Sequence, residues 1–534
     1  MDLGLALRLG VAAWTAFAVA TALGIEHAFW AAMPVWVVAQ PWRGVIFERA
    51  LWRLLGTVIG GAAGLALLLL SPGPWVTALG MALLLSLGAA LMHLRQSVSS
   101  YLPLMSAITV AVVVIPSLTD TTGSVHLAFD RLTCTLIGGV AVAVIVGLFT
   151  PRADMAGFRS EGAALVRGFE ETAALLLAHE TTSTQRNASV SELIHVGAAL
   201  ETKARMIAAG SRDGYRRMAA LDGILAAGLA LIEAATALAK DPVNRQLALQ
   251  DAPGPGPSTG PLARFIEARR ALAEAGASLQ TVAPSARPFS RIAPPGNAAM
   301  AARAALLAAI ASFAGSVLLI LSGSFAAELT AFSMAIFALV LGSAPLPHVV
   351  APKLAVGVLL GCAAGAAYRL GVQPYVGGWL SLIITILPFI AVGALARATS
   401  RSAPYALDAN MCFMLASQAG AAAAPSSEVL ASAFCMAAGT LAMVAVYMVV
   451  PRPGQHLAAR CRSLLERDLR GLSEHSSQRA HKRWKELWGR RLLTLAIELD
   501  KAGERLPPDL LDLASKGHDY LEGCNRTARC GATR

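Results

Sequence analysis

Hydrophobic positions in this chain gather in two long blocks, residues 1–151 and 298–451, each cut by short polar breaks. A helix needs roughly 20 apolar residues to cross a bilayer core. The first block therefore predicts membrane spans near 8–24, 28–42, 51–71, 75–92, 101–116 and 130–149. The second predicts them near 301–321, 325–342, 352–372, 376–395, 405–424 and 428–450. Residues 152–297 and 452–534 follow a different rule. Leu165, Val166, Phe169, Ala173, Leu176 and Leu177 recur on one helical face while Arg167, Glu170 and Glu171 lie elsewhere, which predicts an amphipathic soluble helix. Further helices are expected near 188–209, 213–240 and 261–283, then near 455–474, 479–504 and 508–522. Trp484, Leu487, Trp488, Leu492, Leu495 and Leu499 form a stripe suited to packing within a soluble domain. The proline- and glycine-rich run 252–261 cannot propagate a helix and reads as a linker.

The chain also contains itself twice. Gly56, Gly60 and Gly64 return as Gly357, Gly361 and Gly365, each 301 positions on. Pro151-Arg152 closes the first block and Pro451-Arg452 the second. The expected fold is all-α and polytopic: two parallel-repeat bundles of about six transmembrane helices, each followed by a cytoplasmic helical segment. An even number of spans per block makes the repeat parallel rather than inverted.

Composition narrows the function. Of 534 residues 56% are hydrophobic and 14% charged, so the blocks read as membrane domains. The net charge of +11 sits largely in short loops and the tail, not on one basic face, which argues against nucleic-acid binding. Arg43, Arg49, Arg53, Arg95, Arg152, Arg303, Lys353, Arg397, Arg401 and Arg452 fall in alternate loops, placing both termini and both soluble segments in the cytoplasm. Arg131 and Arg369 break this pattern and are expected to snorkel from span ends. The first segment, with one early base at Arg8, reads as a retained helix rather than a cleaved leader. Seven cysteines without a Cys-x-x-Cys pair support neither a disulfide framework nor a zinc site, and the ten histidines are scattered. The chain has no Gly-Lys dipeptide and hence no phosphate loop, no His-Glu-x-x-His and no Gly-x-Ser-x-Gly, so no cofactor, metal or enzymatic activity is expected.

Polar residues at membrane depth are costly and often functional. Gln40, Arg43, Arg49 and Arg53 are candidate substrate-binding groups, with Lys353 expected at the position of Arg53 in the second half. Two such bases beside glycine-lined helix contacts would suit an organic anion; the alternative is that they anchor loops or pair with Glu48. Gly56, Gly60, Gly64, Gly357, Gly361 and Gly365 are assigned to close helix packing. Asp408, about one turn into a span, is a candidate proton carrier, or else a helix N-terminal acid. Glu26, Asp130, Glu328 and Glu428 read as solvated loop ends.

Residues 30–64 carry Trp30, Met33-Pro34, Gln40-Pro41-Trp-Arg-Gly44, Arg49, Arg53, Gly56-Thr57, Gly60 and Gly64 in order. This pattern resembles the fusaric acid resistance family, also called the aromatic acid exporter family. The second half departs from it, with Ser343-Ala-Pro-Leu-Pro347 where Gln-Pro-x-x-Gly would stand. The resemblance implies proton-driven efflux of aromatic carboxylic or related weak acids across a bacterial inner membrane. It also implies a periplasmic adaptor and an outer-membrane channel as partners, and leaves a homo-oligomer open. A passive organic-anion channel and a non-transporting envelope scaffold are the alternatives.

Overall fold

The computed structural model describes residues 2–40, 42–94, 98–119, 124–150, 154–178, 182–208, 212–239, 245–246, 248, 261–281, 298–344, 346–450, 453–474, 478–500, 505–507, 509–514, 516–517 and 520. Among these the structure is helical, with no strand. Two compact units form, one from residues 1–153 and 295–451, the other from 154–294 and 452–534.

In the first unit the opening half runs α1 (Leu3–Ala22), a 3₁₀ turn (Ala28–Ala31), α2 (Met33–Val38), α3 (Arg43–Leu70), α4 (Pro74–Leu94), α5 (Tyr101–Ser117) and α6 (Ser124–Ala141). A π-helical turn, Val142–Gly147, extends α6. In the second unit, α7 (Met155–Ala178), α8 (Ser183–Ala208), α9 (Arg212–Ala239) and α10 (Pro261–Gln280) follow. The chain then returns to the first unit with α11 (Ala298–Ser322), α12 (Phe325–Ser343), α13 (Pro347–Gly371), α14 (Trp379–Arg397), α15 (Ala403–Ser417) and α16 (Ser426–Val449). It ends in the second unit with α17 (Pro453–Glu474) and α18 (Gln478–Asp500).

Among the described residues, eleven helices are long and apolar enough to cross a bilayer. One of them, Ala220–Ala239 within α9, is instead the core of the second unit, with Leu221, Ile224, Leu225, Leu231 and Leu238 buried. The other ten belong to the first unit, where Leu7, Leu69, Leu83, Leu306, Leu321 and Val392 point outward. Large apolar side chains left on the outside in this number suit contact with lipid tails. The expected second span, 28–42, takes a different form. It is a 3₁₀ turn followed by a six-residue helix, too short to cross, and Phe29, Trp30, Val35 and Trp36 are buried. Broken backbone at membrane depth persists where protein encloses it. Gly138 makes that enclosure close, because a Cβ there would strike the Ala31 carbonyl and the Pro34 ring.

Both glycine rows do the same work in the two halves. A Cβ on Gly56 would lie 2.7 Å from Met105 Cβ and 2.8 Å from the Leu102 oxygen, one on Gly60 would strike the Ser106 oxygen, and Gly64 faces Val113. In the second half Gly357 abuts Tyr405 and Asp408, Gly361 abuts Ala409 and Cys412, and Gly365 abuts Ala416 and Ser417. The rows press α3 onto α5 and α13 onto α15 with backbone near backbone. Between halves the packing is reciprocal: α1 rests on α14, where Trp14 donates to the Ile383 oxygen at 3.0 Å, and α4 rests on α11.

In the second unit the amphipathic face of α7 buries Leu165, Phe169, Ala173, Leu176 and Leu177. Its two chain segments form one body: Trp484, Leu492, Leu495 and Leu499 of α18 are buried, and α18 packs on α8. Asn187 donates to Asp512 at 2.6 Å, and the Leu506 amide donates to His195 Nε2 at 3.0 Å.

Candidate functional site

Ten residues into α3, Arg53 turns inward and is 4% exposed. One terminal nitrogen donates to the Tyr101 hydroxyl at 3.1 Å and lies 3.2 Å from Met105 Sδ, both on α5. Arg131 of α6 is 5% exposed, and its guanidinium lies 5.2 Å from the centroid of the Trp30 ring. It is within electrostatic range of Arg53 and Tyr101. The Nε atoms of both arginines are buried without an acceptor, and neither guanidinium is ion-paired among the described residues. Two like charges held so in a low-dielectric interior repel each other, and a bound anion relieves both the repulsion and the unmet donors.

The charged chain continues across the halves. Arg49, one turn before Arg53, approaches the Val37 oxygen at 3.5 Å and lies 5.5 Å from the Tyr101 ring centroid. Val37 belongs to the short α2, so the broken second segment supplies backbone carbonyls to this region. Arg397, in the last turn of α14, lies in electrostatic range of both Arg49 and Asp408, and donates to the Ala403 oxygen at 3.3 Å. Arg131, Arg53, Arg49 and Arg397 thus run toward the Asp408 carboxylate. Planar guanidiniums present paired donors that match a carboxylate.

The other sequence candidates fall outside this row. Gln40 is half-buried ahead of α3, and Arg43 stacks on Phe47 of its own helix at 5.5 Å. Glu48 accepts from Trp52 Nε1 at 3.2 Å. Pro41 and Arg95 lie outside the described residues. Lys353 is corrected: the glycine register aligns Arg53 with Leu354, which is buried, whereas Lys353 is on the outward face of α13. Counting from Pro151 and Pro451 gave an offset one residue short of the glycine offset, and one residue turns a helix by about 100°. Arg131 and Arg369 are corrected too, since both are buried rather than snorkelling. The sequence reading missed Arg131, Trp30 and Tyr101 as site groups, and treated Arg397 only as a loop base. Met105 faces Gly56 as Asp408 faces Gly357, so the structure makes this level of α5 and α15 equivalent, whereas the 301-residue offset of the glycines pairs Met105 with Ala406.

Residues 2–283 and 259–518 each match the model of the fusaric acid resistance protein family. The chain belongs to this family. The two matches follow the duplication seen in the glycine rows and helix order. A protein of Gluconobacter oxydans (strain 621H), described as an uncharacterized transporter, is 31% identical over 156 residues, 27% of this chain and 21% of that protein. The match therefore spans about a fifth of that relative's length. No solved structure matches the chain. As a member of the fusaric acid resistance family, the protein is a multi-pass membrane protein of a transporter family.

Proposed function

We propose that this protein exports aromatic carboxylic acids or related weak organic acids across a bacterial inner membrane, coupled to protons, with both termini and the second unit on the cytoplasmic side. The observation that carries this reading is the buried, unneutralised pair Arg53 and Arg131, joined through Tyr101 and Arg49 to the second half. Such a pair attracts a carboxylate, and the Trp30 and Tyr101 rings beside it offer stacking surface. Asp408, beside Arg397, is the proton-exchanging group in this scheme. The bases Arg43 and Arg49 in the first turns of α3, Arg397 at the end of α14 and Arg401 just after it support the cytoplasmic orientation.

Everted vesicles from cells expressing the protein test it. Energised vesicles should accumulate labelled aromatic acid, a protonophore should abolish the accumulation, and Arg53→Gln should reduce it at equal protein abundance. Downhill flux indifferent to the proton gradient would make the protein a channel, and no flux for any acid would leave a scaffold. Reporter fusions after residue 153 would overturn the orientation by reporting the opposite side.

A further inference from the structure

The sequence offered no metal site, but the fold gathers three side chains of metal-ligating type at the start of α6. Glu26 and His27 precede the 3₁₀ turn, and Asp130 lies 103 residues beyond His27. One ligand atom from each of these three lies within 4.8 Å of the others. His27 Nδ1 is 3.0 Å from Asp130 Oδ2, and His126 Nδ1 is 4.0 Å from Asp130 Oδ1. Asp130 is 12% exposed at its side chain, yet both its oxygens face imidazoles rather than its neighbour Arg131, whose guanidinium is taken up by the Trp30 ring.

The His27 side is held in place. Its ring stacks on Trp30 at 4.4 Å with 13° between planes, and the Cys134 thiol of α6 donates to its carbonyl at 3.5 Å. A fixed, half-buried imidazole beside a buried carboxylate is the rigid part of a coordination shell, and the exposed Glu26 and His126 are the parts free to close. Ligands about 2.1 Å from a tetrahedral ion lie roughly 3.4 Å apart, so Glu26, His27 and Asp130, whose ligand atoms lie within 4.8 Å of one another, need to close by about 1.4 Å at most, and His126, outside that group, swings in by side-chain rotation.

We propose that Glu26, His27 and Asp130, with His126 swinging in as the fourth ligand, bind a divalent transition ion of the zinc class. Mixed imidazole and carboxylate donors suit zinc, cobalt, nickel and manganese, whereas magnesium and calcium take oxygen alone and copper(I) takes sulfur. Two carboxylates with neutral imidazoles give the site a charge of −2, which such an ion neutralises. Occupancy ties the segment before the 3₁₀ turn to α6, and so clamps Trp30 against Arg131.

The test uses full-length protein purified in detergent on a tag without histidine, titrated with Co²⁺ and Zn²⁺ by calorimetry and visible absorption. One ion per chain is expected, at micromolar affinity or tighter, with tetrahedral cobalt bands and no displacement by millimolar Mg²⁺. Asp130→Asn and His27→Ala should each weaken binding at least tenfold. Glu26→Gln and His126→Ala, at exposed positions, should weaken it severalfold and carry the test should the buried variants misfold. Absence of saturable binding, equal competition by Mg²⁺, or binding unchanged in Glu26→Gln and His126→Ala would overturn the site. Because the readout is binding alone, it stands or falls separately from anion export.

Discussion

Arg53 donates to the Tyr101 hydroxyl at 3.1 Å across the α3–α5 contact, so the base nearest the first glycine row is held by a phenol hydroxyl rather than by a carboxylate. A guanidinium buried with a phenol for a partner destabilises its surroundings until an anion arrives. Function and stability should therefore respond to its loss in opposite directions. Arg53→Gln is expected to lower transport tenfold or more while thermal stability in detergent holds or rises, because an unpaired buried charge is removed. Lys353→Gln, on the outward face of α13, should change transport less than twofold. Initial rates in vesicles with melting curves on the same preparations decide both, and equal loss from the two variants would refute the assignment.

The glycine rows give a sharper structural expectation. Gly60 and Gly361 face backbone carbonyls, which cannot swing aside, whereas Gly61 faces open space. Gly60→Leu and Gly361→Leu should each cost at least about 1–3 kcal/mol from overpacking, and Gly61→Leu almost nothing. Fluorescence-detected gel filtration, comparing monodisperse yield, separates them.

For Asp408 the expected outcome is a split between coupling and conduction. Asp408→Asn keeps the shape against Gly357 but exchanges no proton. Accumulation against a gradient should fall to background while downhill flux survives. Normal uphill export by this variant would leave Asp408 a helix-terminal acid.

In the second unit, burial pushes the Cys461 thiol from its usual 9.0 up to about 11, with the nearby Arg491 acting weakly the other way. The neutral thiol is the form the fold favours, so its contribution to stability is fully present below pH 9 and is lost as pH rises toward 11. At pH 8 the native thiol should alkylate roughly a hundredfold more slowly than the denatured one from thiolate fraction alone. Maleimide labelling followed by mass spectrometry of the Cys461 peptide measures it, and equal rates would contradict the burial.

Much of this architecture was legible because membrane spans and glycine rows are one-dimensional signals. Runs of apolar residues near 51–71 or 352–372 allow few conformations in lipid, and Gly56, Gly60 and Gly64 announce a close neighbour without naming it. The broken second span was not legible, since Ala28 to Val38 is as apolar as a spanning helix. What stops it spanning is enclosure by α1, α3 and α6. The site was harder still. Arg131 read as a span-end base free to snorkel because periodicity cannot say that Trp30, about 100 residues earlier, covers it. His27 and Asp130 met only once α6 was laid beside the turn that precedes α2. Lys353 failed for a different reason, an alignment offset of one residue.

The reciprocal seating of α1 on α14 and of α4 on α11 has a consequence for how such a molecule could arise. A single half, joined to a second copy of itself, would satisfy every one of those contacts by symmetry. It would also carry each ionisable group twice, so a row of bases would face its own image. One acid set against that row requires two copies that drift apart. Fusion into one polypeptide grants this, since Met105 and Asp408 occupy matching places against the glycine rows and only the second can carry a proton.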